Sequence, residues 1–242
     1  MLVFIAHRGA SAYAPENTMP AFLLAHQMGA TSIECDVILT ADKIPVIIHD
    51  NHLERTTNGQ GDVRNHDYAY IASLDAGSWF HSQFKACKIP LLSELLIWQK
   101  QSGIELNLEI KPIHHQHLEA DLDIILNHVH QYANIAKLKI LSFQHKIFKR
   151  LQALNNKLAT ALEVSYCRQH TITAAIEAEC QQINMSYRYL NRRRISDIHQ
   201  AGLKAGVFTV NHLEQLKKIK ALDLDEVFTD DLKLIEVFKK LN

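Results

Sequence analysis

Residues 32–50 read SIECDVILTADKIPVIIHD, two extended runs joined by a short polar turn, and the fold follows from them. From Ser32 to Ile38 the acids Glu34 and Asp36 alternate with Ile33, Cys35 and Val37. That is the period of two that sends neighbouring side chains to opposite faces of a strand. Pro45 to His49 is extended as well, yet only six residues separate it from Ile38. A parallel crossover needs about a dozen. The pair is therefore predicted to form an antiparallel hairpin turning through Thr40, Ala41, Asp42 and Lys43, with His49 opposite positions 34 to 36.

Outside this hairpin, extended and helical stretches alternate. Strands are expected at Leu2–Ala6, Ser32–Ile38, Glu105–Ile110, Lys139–Phe143, Thr160–Val164, Gln182–Met185, Gly206–Val210 and Glu226–Thr229. Amphipathic stretches lie between them, among them Ala21–Met28, Leu118–His130, Ile147–Leu154 and Leu213–Ala221. Eight strands separated by helices in 242 residues point to an α/β protein, a (β/α)₈ TIM barrel forming one domain over 1–242. The pattern fails only from Asn51 to Pro90, a stretch rich in Gly, Asn, Asp and aromatics. Residues 51–90 are expected to be an insertion over the active-site rim.

Composition narrows the function. Lys plus Arg balances Asp plus Glu at 26 each, so bulk charge argues for neither a nucleic-acid nor an anionic-membrane partner. No apolar run reaches the ~18 residues of a membrane span, and no signal peptide is expected ahead of His7. The four cysteines lack metal-site spacing and are expected to be reduced, buried thiols. A cytoplasmic protein without a membrane anchor follows.

The chemistry lies on polar rows inside predicted strands. Asn107, Glu109 and Lys111 share a face, as do Glu34 and Asp36, while the intervening residues are apolar. Carboxylates two apart on a strand are ~6.5–7 Å apart at the backbone, and a third carboxylate ends another strand. Oxygen ligands of this kind suit one hard divalent cation, Mg²⁺ or Ca²⁺, better than Zn²⁺. His7 and His49 each close an apolar run at its C-terminal end, where barrel enzymes carry their chemistry. Two imidazoles flanking a phosphate can act as general base and general acid. By contrast, His114, His115 and His117 and the run Arg192–Arg194 read as solvated helix starts.

These segments together resemble the glycerophosphodiester phosphodiesterase family, within the wider group of phosphatidylinositol phospholipase C-like phosphodiesterases. The matching segments include His7-Arg8-Gly9, Pro15-Glu16-Asn17-Thr18, Ile33-Glu34-Cys35-Asp36-Val37, His49-Asp50, Arg55-Thr56-Thr57-Asn58-Gly59, Glu109-Ile110-Lys111-Pro112, Thr209-Val210-Asn211 and Thr229-Asp230. They stand in family order across nearly the whole chain. The resemblance implies Glu34, Asp36 and Glu109 as metal ligands, His7 and His49 as the acid–base pair, and Arg8 and Lys111 as phosphate contacts. Glu16 and Asn17 are implied as supporting residues. It further implies metal-dependent hydrolysis of a small-molecule glycerophosphodiester to glycerol 3-phosphate and an alcohol, with homodimerisation an open option. Lys43 departs from the pattern where the hairpin commonly carries Gly. Phe208 replaces a frequent Trp, and Asp223-Leu224-Asp225-Glu226 replaces a Gly-rich approach to the last strand. Two rival readings remain: a lipid-directed phospholipase or lysophospholipase D, and a non-catalytic module on the same barrel. The chain lacks an amphipathic anchor for the first and keeps all five core groups, against the second.

Overall fold

The computed structural model describes residues 2–154 and 157–241. Eight parallel strands close into a barrel in the order β1 (Val3–Ala6), β2 (Ser32–Leu39), β4 (Glu105–Ile110), β5 (Leu138–Ser142), β6 (Ala159–Val164), β7 (Gln182–Ser186), β8 (Lys204–Phe208) and β9 (Glu226–Thr229). β9 pairs with β1 again, and β1 with β2. Helices cover the outside: α1 (Met19–Gln27), α3 (Leu92–Ser102), α4 (Leu118–Tyr132), α5 (His145–Ala153), α6 (Gln169–Glu177), α7 (Arg192–Gln200), α8 (Leu213–Lys220) and α9 (Lys233–Leu241). The predicted (β/α)₈ architecture is thus observed. Most element ends differ by only one or two residues, the usual uncertainty where helices and strands fray. Among the strands β8 shifts most: it starts two residues early, because Lys204 and Ala205 pair with Gln182 and Ile183 before the apolar run begins.

The alternation read from the sequence sorts the side chains. Ile33, Cys35 and Val37 of β2 and Leu106, Leu108 and Ile110 of β4 join the core between strands and helices. Inside the barrel, Ile5, Leu141, Ala161 and Phe228 form a small apolar layer. Below it Lys139 Nζ donates to Gln182 Oε1 (3.0 Å) and Glu226 Oε1 (2.5 Å). Gln182 Nε2 donates to Asn184 Oδ1 and Glu226 Oε2, both at 2.6 Å. Most polar atoms of this plug satisfy one another, which makes it tolerable, while Asn184 Nδ2 is left without a partner. Gly206 makes room for it: a Cβ there would lie 2.1 Å from Asn184 Oδ1.

The hairpin is antiparallel, as predicted. β3 (Pro45–Ile47) pairs with β2 through Val37–Ile47, Ile38–Val46 and Leu39–Pro45, and the Ile48 amide donates to the Asp36 carbonyl at 3.0 Å. That register, continued, sets His49 opposite Cys35, although the ladder itself lies nearer the turn than Ile33–Asp36. Lys43 takes the left-handed conformation (φ 66°) that glycine would adopt without strain. The Thr40 hydroxyl holds the turn by accepting from the Ile44 amide (2.9 Å) and donating to Asp42 Oδ1 (2.5 Å).

Residues 51–90 are more structured than the sequence suggests. They contain helix α2 (Tyr68–Ser73) and two single 3₁₀ turns. Leu53, Val63, Ile71, Leu74, Ala76 and Ile89 bury themselves against Ile38, Val46 and Ile48 of the hairpin. These apolar residues come singly and at irregular intervals, so no period betrays them.

Gly9 sets how closely α1 approaches the mouth of the barrel. Its φ is +83°, and a Cβ would lie 2.7 Å from the Ala21 carbonyl carbon. Gly9→Ala is therefore expected to destabilise the protein by roughly 2–4 kcal/mol, from left-handed strain plus overpacking. Urea unfolding against the parent measures this, and a loss below about 0.5 kcal/mol would show that α1 shifts freely.

Candidate active site

The acids predicted to converge do so at the C-terminal mouth of the barrel. Asp36 on β2 is the ladder partner of Glu109 on β4, and Glu34 lies one interior step below. An oxygen from each of Glu34, Asp36 and Glu109 lies within 4.8 Å of the other two. The residues are only 2%, 0% and 7% exposed. Lys111, on the interior face two residues after Glu109, bridges the pair: Nζ is 2.7 Å from Asp36 Oδ1 and 2.8 Å from Glu109 Oε1. The Arg8 amide donates to Glu34 Oε2 at 2.9 Å, and its Nε lies 3.5 Å from Asp36 Oδ2. Asn17 Nδ2 donates to Asp36 Oδ2 at 2.7 Å, while its Oδ1 accepts from the Asp36 amide at 3.2 Å. Arg8 and Asn17 both have φ 57°, a left-handed backbone that costs an L-residue about 1–2 kcal/mol. The first loop is bent to serve these acids.

Charge is unevenly shared among them. Burial, then the charges of Asp36 and Glu109, pushes the Glu34 carboxyl well above its usual range. Burial and Asp36 raise Glu109 to about 7, against the pull of Lys111. Asp36 goes the other way: burial opposes its ionisation, but Lys111 and Arg8 outweigh it and hold the group far below the usual range. Three buried carboxyls that destabilise one another's charge form an all-oxygen donor set, which fits a hard divalent cation. The donor chemistry therefore agrees with the ligands expected from the sequence.

The histidines are each tethered through one ring nitrogen. His7 Nδ1 lies 2.6 Å from Asp230 Oδ1, and its Nε2 is 3.9 Å from Glu34 Oε2. Asp230 is fixed in turn by the Ser11 hydroxyl (3.1 Å) and by Asn211 Nδ2 (2.5 Å). His49 Nδ1 lies 2.5 Å from Asp50 Oδ1. Arg55 Nε donates to Asp50 Oδ2 at 2.5 Å, and its two terminal nitrogens reach Glu16 at 2.7 and 2.8 Å. Glu16 also accepts from Arg8 Nη1 at 2.8 Å. The bond from Arg55, followed by that from His49, lowers Asp50 to about 2. A carboxylate on Nδ1 favours the tautomer whose Nδ1–H donates to it, leaving Nε2 to exchange protons.

Sequence reasoning did not assign Ser11, Asp50, Arg55, Asn211 or Asp230 any role. Asp50 and Asp230 carried a signal, since each stands directly after the C-terminal end of a predicted strand. Glu163, buried on the interior face of β6, was also missed. His114, His115 and His117 are exposed ahead of α4, and Arg192 and Arg193 are exposed at the start of α7, as expected. Cys35, Cys167 and Cys180 are buried thiols, and Cys87 is half-buried. Among the described residues, no helix is long and apolar enough to cross a membrane.

A (β/α)₈ barrel with acids and imidazoles gathered at its C-terminal mouth has the layout of a barrel enzyme. Residues 7–234 match the glycerophosphoryl diester phosphodiesterase family. The Bacillus subtilis protein YhdW is 34% identical over 95% of this chain and 94% of its own. The glycerophosphodiester phosphodiesterase of the same organism is 30% identical over 99% of this chain and 87% of its own. An Oleispira antarctica phosphodiesterase, solved in complex with the product sn-glycerol-3-phosphate, superposes with a TM-score of 0.93. It is 33% identical, covering 98% of this chain and 96% of that one. The chain belongs to the glycerophosphoryl diester phosphodiesterase family and is an enzyme of that class.

The acid cluster predicts a thermal signature. A ligand that binds only the folded state stabilises it by about 2.7 kcal/mol at a hundred times its Kd. Millimolar Mg²⁺ or Ca²⁺ should raise the melting temperature of chelator-treated protein, and Glu34→Gln or Asp36→Asn should remove the increase. Scanning calorimetry decides it: an equal rise in parent and variants would locate cation binding elsewhere.

Proposed function

We propose that this enzyme hydrolyses small glycerophosphodiesters to glycerol 3-phosphate and a free alcohol, with His7 and His49 moving the protons. The observation that carries this reading is the shared tether of the two imidazoles. Each has its Nδ1 on a carboxylate, Asp230 or Asp50, beside one cluster of metal-type ligands. Glu34, Asp36 and Glu109 would hold one divalent cation, Mg²⁺ or Ca²⁺. When bound, that ion supplies positive charge against the phosphoryl oxygens, which gain negative charge as the nucleophile adds.

The protein's own groups do the rest. Arg8 and Lys111 orient the phosphodiester and add to the positive field at the mouth. His7 Nε2 removes the proton from the attacking hydroxyl, either water or the neighbouring 2-hydroxyl of the glycerol; the latter forms a cyclic phosphate that a water then opens to glycerol 3-phosphate. His49 Nε2 gives a proton to the departing alcohol oxygen. Asp230 and Asp50 keep each ring in register for these transfers, as the carboxylate of a catalytic triad does. We take the chain as one barrel domain whose 51–90 insertion covers the active-site rim, acting in the cytoplasm as a monomer or homodimer.

A panel of glycerophosphodiesters tests the activity. Purified enzyme should release glycerol 3-phosphate from glycerophosphocholine or glycerophosphoethanolamine, and EDTA should stop it until Mg²⁺ or Ca²⁺ is restored. Full turnover by metal-free enzyme would rule out the ion.

The two histidine roles separate with a second substrate. Loss of either ring should lower kcat about 10²–10⁴-fold, the usual contribution of a placed proton-transfer group. A nitrophenyl ester has a leaving group that departs without protonation. On it His49→Ala should regain much of its lost rate, while His7→Ala stays impaired. Rescue of His7→Ala alone would exchange the roles.

A further inference from the structure

Glu163 is a carboxyl that the proposed reaction does not use, and it sits where a substrate-facing group would. It is 5% exposed on β6, no more enclosed than Glu34 or Asp36. Glu109 pairs with Leu141 on β5, and Leu141 with Ala161 on β6, so Glu163 is one interior step nearer the mouth on the ladder. Strand tilt offsets levels by about one residue per strand in an eight-stranded barrel, which returns Glu163 to the level of Glu109. Glu109, Glu34 and Lys111 are among the charges that act on it.

The surroundings of Glu163 do not explain it as structure. Lys111 makes its ion pairs with Asp36 and Glu109, and the largest charge acting on Glu163 is that of another acid, Glu109. Beside it in the β7 ladder stands Asn184, fully buried, whose Nδ2 has no hydrogen-bond partner. A buried amide N–H without a partner costs about 1–3 kcal/mol. Asn184 Oδ1 is committed to Gln182, so this donor is free for a group that the protein does not provide. On the mouth side the Phe143 and Phe208 rings meet edge to face, 5.9 Å apart, and Phe143 follows directly on β5. An unused carboxyl and an unused amide donor thus stand side by side, next to the site of reaction.

From this juxtaposition we infer that Glu163, with Asn184, is a specificity-determining residue whose carboxyl accepts hydrogen bonds from the free hydroxyls of the substrate's glycerol moiety. A vicinal diol presents donors and acceptors together, matching a carboxyl acceptor beside an amide donor. Such a pair selects for the glycerol side of a phosphodiester, whichever alcohol leaves. The inference rests on the hydrolysis proposed above.

Glu163→Ala and Glu163→Gln, assayed on glycerophosphocholine and on bis(4-nitrophenyl) phosphate, test it. The second substrate has no glycerol hydroxyl. The ratio of kcat/KM for the first to that for the second should fall roughly 3–10-fold in Glu163→Ala, the usual effect of losing one hydrogen bond. Glu163→Gln, which retains an acceptor oxygen, should fall less and serves if the alanine variant does not fold. Mg²⁺ affinity by titration calorimetry should stay within about threefold of the parent, since the ion's ligands are untouched. An unchanged ratio in an active variant would overturn the inference and leave the proposed activity standing. Equal loss on both substrates with weakened Mg²⁺ binding would make Glu163 part of the ion site instead. A parent enzyme that releases no glycerol 3-phosphate from any glycerophosphodiester would overturn the proposed function, and this inference with it.

Discussion

Three carboxyl groups buried within 4.8 Å of one another at the barrel mouth are the constraint to which the neighbouring structure answers. Burying even one ionised carboxylate costs several kcal/mol unless partners compensate it. Here compensation comes from the first loop and the end of β4. The Arg8 amide and guanidinium, the Asn17 side chain and the Lys111 ammonium all converge on Glu34, Asp36 and Glu109. Two of those donors reach their targets only from left-handed backbone. Gly9, between them in sequence, is the residue whose missing Cβ lets α1 close over the same loop. The strain and the close approach are both local consequences of holding acids together.

The length of β2 explains how a second histidine reaches this cluster. β1 pairs with β2 at Ile33 and then leaves, and along Val37–Leu39 the vacated edge is taken by β3. The return strand therefore ends beside the acids. Ile38 has the same parity as Glu34 and Asp36, but above the mouth that face is covered by residues 51–90 and packs into their core. The two halves are also tied through charge, by the path Asp50–Arg55–Glu16–Arg8. An element that looks accessory thereby bears on His49 from one side and on Arg8 from the other.

Much of this was legible in the sequence because period and loop length are local properties. The parity of Glu34, Asp36, Glu109 and Lys111 needs no tertiary knowledge, and six residues between Ile38 and Pro45 cannot hold a crossover. The hairpin register followed, and with it the placement of His49. What stayed hidden depends on distant pairing. Asp230 meets His7 across 223 positions, and only closure of the barrel brings them together. Glu163 reads as one acid in an apolar strand until register and tilt are known. The core of residues 51–90 was illegible for a different reason: isolated apolar residues between turns carry no period, and burial there comes from the hairpin they cover.

The two imidazoles share a tether but not an environment, and the difference bears on the proposed division of labour. His49 lies below the usual histidine range: burial is the main cause, and the charges of Arg8 and Lys111 add to it, against Asp36 and Asp50. A general acid must carry its proton when the leaving group departs, so the free site is set against the task. A phosphodiester brings a negative charge to the groups that depress His49, and a nearby opposite charge favours the protonated imidazole. In the proposed reaction, then, the substrate's charge favours the protonated ring. Asp50, kept ionised by Arg55, favours the same state once the proton arrives. In that proposal the path from Glu16 through Arg55 to Asp50 supports the protonated ring electrostatically, which would give residues 51–90 a part in the chemistry that their irregular sequence conceals.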